Sequence, residues 1–326
     1  MTVVLTDLQK RLCNRLQEGL PICARPFAEI AKALGSTEPE VLQQTRELLK
    51  AGLIRRLSVL LNHRALDIAS ALVTAHVPPE QLDRVADAVN ALHGVSHNYL
   101  REHHYNLWFT LQEHTEDDIR TTLLDLESRF GVAFHSLPVT RVFKLDVRFD
   151  LEADEGLLTH DTYDVPGTEP VALNPEQRQL LARLQDGIEV TARPFETLQA
   201  PGQTAEDALR LLTELKDLGV LRRIAAVLNY RRLGYTVNVL FAIEVPPDSI
   251  VEAGSRLAAF RAVSHCYERE TFEGWPYNLF AMLHARTAER IGQTVREFTS
   301  VADVRSCALL PTAAELKKQP VRHKLV

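Results

Sequence analysis

Cysteine is scarce: Cys13, Cys23, Cys266 and Cys307 are spread over 326 residues with no CxxC spacing. That is too few for a disulfide framework in so long a chain, and they read as reduced thiols. Positive charge is short as well. The formal net charge is −6 and the pI is near 6.1, so no global basic field draws nucleic acid or an anionic membrane. No run approaches the roughly eighteen apolar residues of a membrane span, and Met1 to Lys10 lacks the basic start and apolar stretch of a secretion signal. The expectation is a soluble, cytoplasmic protein with no membrane partner. GxSxG, the Walker loop, GxGxxG, HExxH and Cys-His metal spacings are all absent, so no metal site is expected. What remains is ordinary: 45% hydrophobic and 25% charged residues exclude disorder, and the length calls for two or more domains.

The informative feature is an internal repeat. Ala24-Arg25-Pro26-Phe27 returns as Ala192-Arg193-Pro194-Phe195, and Gly52-Leu53-Ile54-Arg55-Arg56 as Gly219-Val220-Leu221-Arg222-Arg223. Val95-Ser96-His97-Asn98-Tyr99 returns as Val263-Ser264-His265-Cys266-Tyr267, and Tyr105-Asn106-Leu107 as Tyr277-Asn278-Leu279, after a longer loop in copy two. Between the copies, residues 151–173 carry Glu152, Asp154, Glu155, Asp161, Asp164 and Glu169 with no Lys or Arg, which reads as a solvated acidic linker.

Each copy has two textures. Thr6 is placed to cap a helix from Asp7 to Glu18, Pro26 opens a second that Gly35 ends, and Ser36 or Thr37 caps a third from Glu38 to Ala51. With the β-rich stretch Leu57 to Leu61, this is a winged helix-turn-helix. The next segments alternate as strand (68–77), helix (79–92), strands (95–100 and 106–112), helix (116–130) and strand (132–137), the βαββαβ order of a ferredoxin-like module. The fold class is α+β, a tandem duplication with helix-turn-helix modules at 1–62 and 174–229 and ferredoxin-like modules at 63–150 and 230–326. Pro201-Gly202 shortens the second helix of copy two. A helix-turn-helix joined to βαββαβ resembles the Lrp/AsnC regulators, which implies paired modules with a ligand cleft where they meet. The third helices, however, carry net charges of −1 (Glu38 to Lys50) and −2 (Glu206 to Leu218), and acids repel a duplex. DNA reading is not expected.

Histidine clusters at His93, His97, His103 and His104. Strand alternation puts His97, Tyr99 and Arg101 on one face, and Tyr105, Leu107 and Phe109 on one face of the next strand as an aromatic wall. Imidazole, phenol and guanidinium suit a flat ligand bearing carboxylates, because Arg forks bind carboxylates and His moves protons near neutral pH. Copy two keeps His265, Tyr267 and Arg269, with Trp275-Pro276-Tyr277 in its longer loop. His103 and His104 are adjacent and point to opposite faces, so they cannot chelate together. Arg55-Arg56 and Arg222-Arg223 fit a solvated wing and a ligand-facing cation pair equally well.

The signatures His-Asn-Tyr-x-Arg with Tyr-Asn-Leu-Trp-Phe, and Ser-His-Cys-Tyr-Glu-Arg with Trp-Pro-Tyr-Asn-Leu-Phe, resemble the two subunits of the siroheme decarboxylase family. The resemblance spans essentially the whole chain, here as one fused polypeptide. It implies a carboxy-lyase removing carbon dioxide from the C12 and C18 acetates of siroheme, giving 12,18-didecarboxysiroheme in the synthesis of a d1-type or alternative haem. Siroheme would be the partner and bring its own iron, with no cofactor required. The chain would be a pseudo-heterodimer, and a further homodimer stays open. Within that resemblance His97 is the first choice of acid, His265 its equivalent, and His103 or His104 a partner or iron-facing group. Arg101 and Arg269 would anchor carboxylates, Tyr99, Tyr105, Tyr267 and Tyr277 would line the cleft, and Arg55 and Arg222 would touch substrate. The competing readings are an Lrp/AsnC-like transcriptional regulator sensing a tetrapyrrole or other small ligand, and a tetrapyrrole carrier.

Overall fold

The computed structural model describes residues 4–153, 156–157, 169–319 and 321–323. In copy one, Thr6 and Gln9 form a reciprocal capping box that starts α1 (Asp7–Glu18). Pro26 opens α2 (Pro26–Leu34), Gly35 closes it at φ 65°, and Thr37 caps α3 (Glu38–Lys50). The wing β1 (Ile54–Leu61) follows, then β2 (Ala69–Ala75), α4 (Leu82–Ala91), β3 (Val95–Arg101), β4 (Leu107–Glu113), α5 (Glu116–Phe130) and β5 (Phe134–Leu145). Copy two gives α6 (Pro175–Leu184), α7 (Ala205–Asp217), the wing β6 (Leu221–Leu228), β7 (Val237–Glu244), α8 (Ile250–Ala258), β8 (Val263–Arg269), β9 (Leu279–Ala285), α9 (Ala288–Thr299) and β10 (Ser306–Lys318). Its second helix is reduced to a 3-10 turn, Pro194–Leu198, ahead of Pro201 and Gly202.

The two βαββαβ modules do not simply abut. They close into one antiparallel barrel in the order β10-β3-β4-β2-β5-β8-β9-β7. Residues 134–138 of β5 pair with β2 of their own copy, and residues 139–145 pair with β8 of the other. Likewise residues 306–311 of β10 pair with β7, and residues 312–318 cross to β3. The expected last strand, ending at Leu137, is therefore eight residues too short. Pro138 reads as a strand stop, yet it and its counterpart Pro311 sit where each strand changes partner. Gly254 in α8 serves this exchange, because a Cβ there would overlap the Phe143 ring of β5.

Alternation then sorts the side chains. Leu107, Phe109 and Leu111 face the helices of their own copy, while Trp108 faces the barrel interior. The expected wall of Tyr105, Leu107 and Phe109 is thus corrected: Tyr105 precedes the strand, so strand alternation does not extend to it. The helix-turn-helix modules and both wings share a single core, in which β1 pairs with β6. The acidic linker is not wholly solvated. Leu157 is 1% exposed and bridges to Phe149, and Val171 N–H donates to Ala65 O. Asp154, Glu155, Asp161 and Asp164 lie outside the described residues.

Candidate active site

β3 and β8 stand opposite each other in the eight-strand ring and run in the same direction, so equivalent residues meet across the lumen. Asn98 and Cys266 turn outward, to Asn90 on α4 and the Gly254 carbonyl on α8. The residues on either side of them turn inward. Each copy thus presents a ladder to the lumen. His97 and Tyr99 have ring centroids 6.1 Å apart, and the Arg101 guanidinium lies 5.3 Å from the Tyr99 ring. His265, Tyr267 and Arg269 repeat this at 6.0 and 4.9 Å. Both histidine rings lie deep in the fold and still keep some accessible surface.

The two arginines also hold the fold together. Arg101 donates to Leu310 O (2.9 Å) and Thr312 Oγ1 (3.1 Å), and Arg269 donates to Leu137 O (2.7 Å). Each guanidinium ties the other copy's crossing strand in place beside its proline, and each keeps a buried Nε without a partner. Burial pulls both down to about 10, so both are charged at neutral pH.

Further positive charge comes from the wing end. Arg55 and Arg56 on β1 and Lys318 at the end of β10 depress the nearby His97, and Arg222 on β6 depresses His265. Arg56 is half-buried with its Nε unpartnered. Lys318 pairs with His97 in the ladder, lies 4.2 Å from the centre of the Tyr230 ring and 3.7 Å from Glu315. Asp146 is already held by Arg148 and Arg223. Arg55, Arg56, Arg222 and Lys318 therefore stand near the two histidines and make this end of the lumen cationic.

The opposite end is closed by aromatics. Trp275, carried by the longer loop of copy two, is buried against Trp108 at 5.4 Å and Tyr277 at 4.7 Å. Tyr105 packs edge-on to Trp275, His103 edge-on to Trp275, and His104 stacks on His76 at 4.1 Å. His103 and His104 are thus not brought to His97, which lies about 13 Å further along β3 than Arg101 at the strand's usual rise. The hairpin carries them to the plugged end, so neither lies beside His97.

Sequence reasoning missed Lys318, Ser96, Ser264, Tyr230 and His284. Ser96 and Ser264 stood in the repeat but had no evident chemistry. His284 matches Gln112 in the repeat, so no signal pointed to it, and Lys318 lies beyond the expected end of the module. Two pockets lie elsewhere, about 620 Å³ beside Arg25 and Arg193, and about 470 Å³ along α5. In the first, both arginines are paired, to Glu38 and Glu196, and neither pocket joins the lumen.

Burial, then neighbouring cations, lowers His97 to about 4; burial, then His97, lowers His265 to about 3. Burial, then His265, lowers His284 to about 3. Between pH 6.5 and 5 the unfolded chain takes up protons at these positions and the folded chain does not. Stability is therefore full above pH 6.5 and falls as the pH drops through that window. Thermal midpoints at pH 7, 6 and 5 are expected to fall progressively, and less so in a His97→Gln, His265→Gln variant. A midpoint that is constant from pH 7 to pH 5 would contradict this.

The chain also matches known proteins. A model of the AsnC-like ligand binding domain matches residues 68–144 and 232–317, and one of the siroheme decarboxylase NirDL-like HTH domain matches residues 9–55. A siroheme decarboxylase from Hydrogenobacter thermophilus is 35% identical over 96% of this chain and 94% of its own. A siroheme decarboxylase NirD subunit from Pseudomonas aeruginosa is 39% identical over 46% of this chain and 99% of its own. Crystal structures of the siroheme decarboxylase NirDL, alone and in co-complex with an iron-uroporphyrin III analogue, match with TM-scores of 0.75 and 0.74. They are 30% and 31% identical, covering 98% and 97% of this chain and 94% of each of theirs.

Proposed function

The chain belongs to the siroheme decarboxylase family, and we propose that siroheme loses the carbon dioxide of its C12 and C18 acetates in the cationic lumen, giving 12,18-didecarboxysiroheme. It is a carboxy-lyase acting on an iron tetrapyrrole, and its two copies stand in for two subunits. The observation that carries the site is the facing pair His97 and His265, enclosed between a cationic wing end and an aromatic plug.

An acetate on a pyrrole carbon gives up carbon dioxide only if the electron pair left on its methylene has a sink. Protonation of the ring supplies one, and a second proton on the methylene completes the methyl group. The ring then gives back the first proton, so one proton is consumed for each carbon dioxide released. A positioned acid contributes ~10²–10⁴-fold to such a step. Burial and the neighbouring cations keep both histidines neutral. Carboxylates brought among them favour the protonated imidazole, so the substrate itself charges its acids. Arg55, Arg56, Arg222 and Lys318 would hold the carboxylates that stay, and the wall of Trp108, Phe280 and Tyr267 keeps water from the one that leaves. Tyr99 and Tyr267, both raised by burial, stay protonated and offer neutral hydrogen bonds. The reaction needs no resident cofactor beyond the iron that arrives with the substrate.

Duplex reading is not part of this function. Arg46 of α3 is spent on Val190 O of copy two, Arg210 of α7 pairs with Glu214 and Asp207, and the wings bind each other. Anaerobic incubation with siroheme followed by mass spectrometry tests the proposal. A product lighter by two carbon dioxide units is expected; a bound but unchanged tetrapyrrole would make the chain a carrier.

A further inference from the structure

Behind each lumen histidine stands a serine, and behind each serine a third side chain. Ser96 Oγ lies 2.8 Å from His97 Nδ1 and 2.7 Å from Thr110 Oγ1. Ser264 Oγ lies 2.8 Å from His265 Nδ1 and 2.9 Å from His284 Nε2. Thr110 faces His97 across the β3–β4 ladder, and the residue that faces His265 across β8–β9 is Met282, which has no hydroxyl. His284, two residues further along β9, reaches the serine instead. The two copies thus build the same contact from different residues at nearly the same distance, which points to the serine's orientation as the feature in need of support.

A serine hydroxyl has one proton, and Ser264 meets two imidazole nitrogens. If one nitrogen receives that proton, the other does best by donating its own to the oxygen. The Met282 carbonyl, at 3.4 Å, competes weakly. We propose that His284 is a positioning residue that donates its Nε2–H to Ser264, turning the hydroxyl proton onto His265 Nδ1. His265 is then fixed as the tautomer whose proton sits on Nε2, toward the lumen. The reverse arrangement would put the proton on His284 Nδ1, which is buried without a partner between Phe149 and Tyr230. Stranded buried N–H groups are rarer than stranded acceptors. In copy one the threonine hydroxyl does the same for Ser96. Both proton arrangements are neutral and hold the same number of protons, so the choice rests on hydrogen bonding alone.

The inference rests on His265 being an acid for the proposed reaction, and its test separates the two. Nitrogen-15 NMR of the unliganded protein reports which ring nitrogen of His265 carries the proton. Wild type and His284→Gln, whose amide still donates, are expected to show the proton on Nε2. His284→Phe is expected to lose that preference and to slow removal of one carbon dioxide by ~10–100-fold, the range for losing a group that orients a metal-ligating histidine. Ser264→Ala gives the same reading should His284→Phe fail to fold. An unchanged His265 tautomer with unchanged turnover in the folded variants overturns the inference. A tautomer lost in His284→Phe, in a protein whose wild type leaves siroheme intact, upholds His284 and overturns the decarboxylase reading.

Discussion

Residues 1–150 and 173–326, produced separately, are each expected to lack turnover and to regain it when the two are mixed. In the first fragment, residues 139–145 of β5 lose β8; in the second, residues 312–318 of β10 lose β3. Each would expose an unpaired strand edge and an apolar lumen face bearing Trp108 and Leu137, or Phe280 and Leu310. Such edges and patches drive aggregation or self-pairing. Each would also hold only one of the facing histidines. Size-exclusion chromatography and a siroheme turnover assay on each fragment and on the mixture check this. Full turnover by one purified monomeric fragment would remove the shared lumen from the account.

Replacing His97 and His265 together by alanine is expected to slow decarboxylation by ~10²–10⁴-fold, the contribution of positioned acids. Tetrapyrrole binding should stay within about tenfold, or ~1.4 kcal/mol. The split follows from the layout of the lumen. The histidines face the reacting space, while the cations that attract carboxylates (Arg55, Arg56, Arg222 and Lys318) come from the wings and the end of β10. An optical titration with siroheme alongside a single-turnover assay measures both quantities. If affinity collapses along with the rate, the histidines are binding groups, and if neither changes the acid lies elsewhere.

Much of this was legible in the residues. The repeat at Ser96-His97 and Ser264-His265 marked the two inward-facing histidines, and Thr6, Pro26, Gly35 and Thr37 marked helix ends by local chemistry that tertiary context did not override. The barrel was not legible, because its closure depends on strands that run through Pro138 and Pro311, residues that ordinarily end a strand. With the crossing hidden, the expected cleft between modules gave no hint of a closed ring, nor that Arg101 and Arg269 hold the crossing strands. His103 and His104 drew attention by their density, but a hairpin tip lies a strand's length from its base. Lys318 and His284 lay outside every repeated block, and only the register of β10 and β9 brings them beside His97 and Ser264.

The central claim is that two acids facing each other in one lumen serve two acetates, and the mass spectrum of quenched siroheme reactions tests it most directly. Wild type should reach the species lacking two carbon dioxide units. His97→Ala and His265→Ala should each accumulate a species lacking one, and the double variant should leave siroheme nearly intact. Wild-type progress to the doubly decarboxylated product in both single variants and in the double variant would contradict the account.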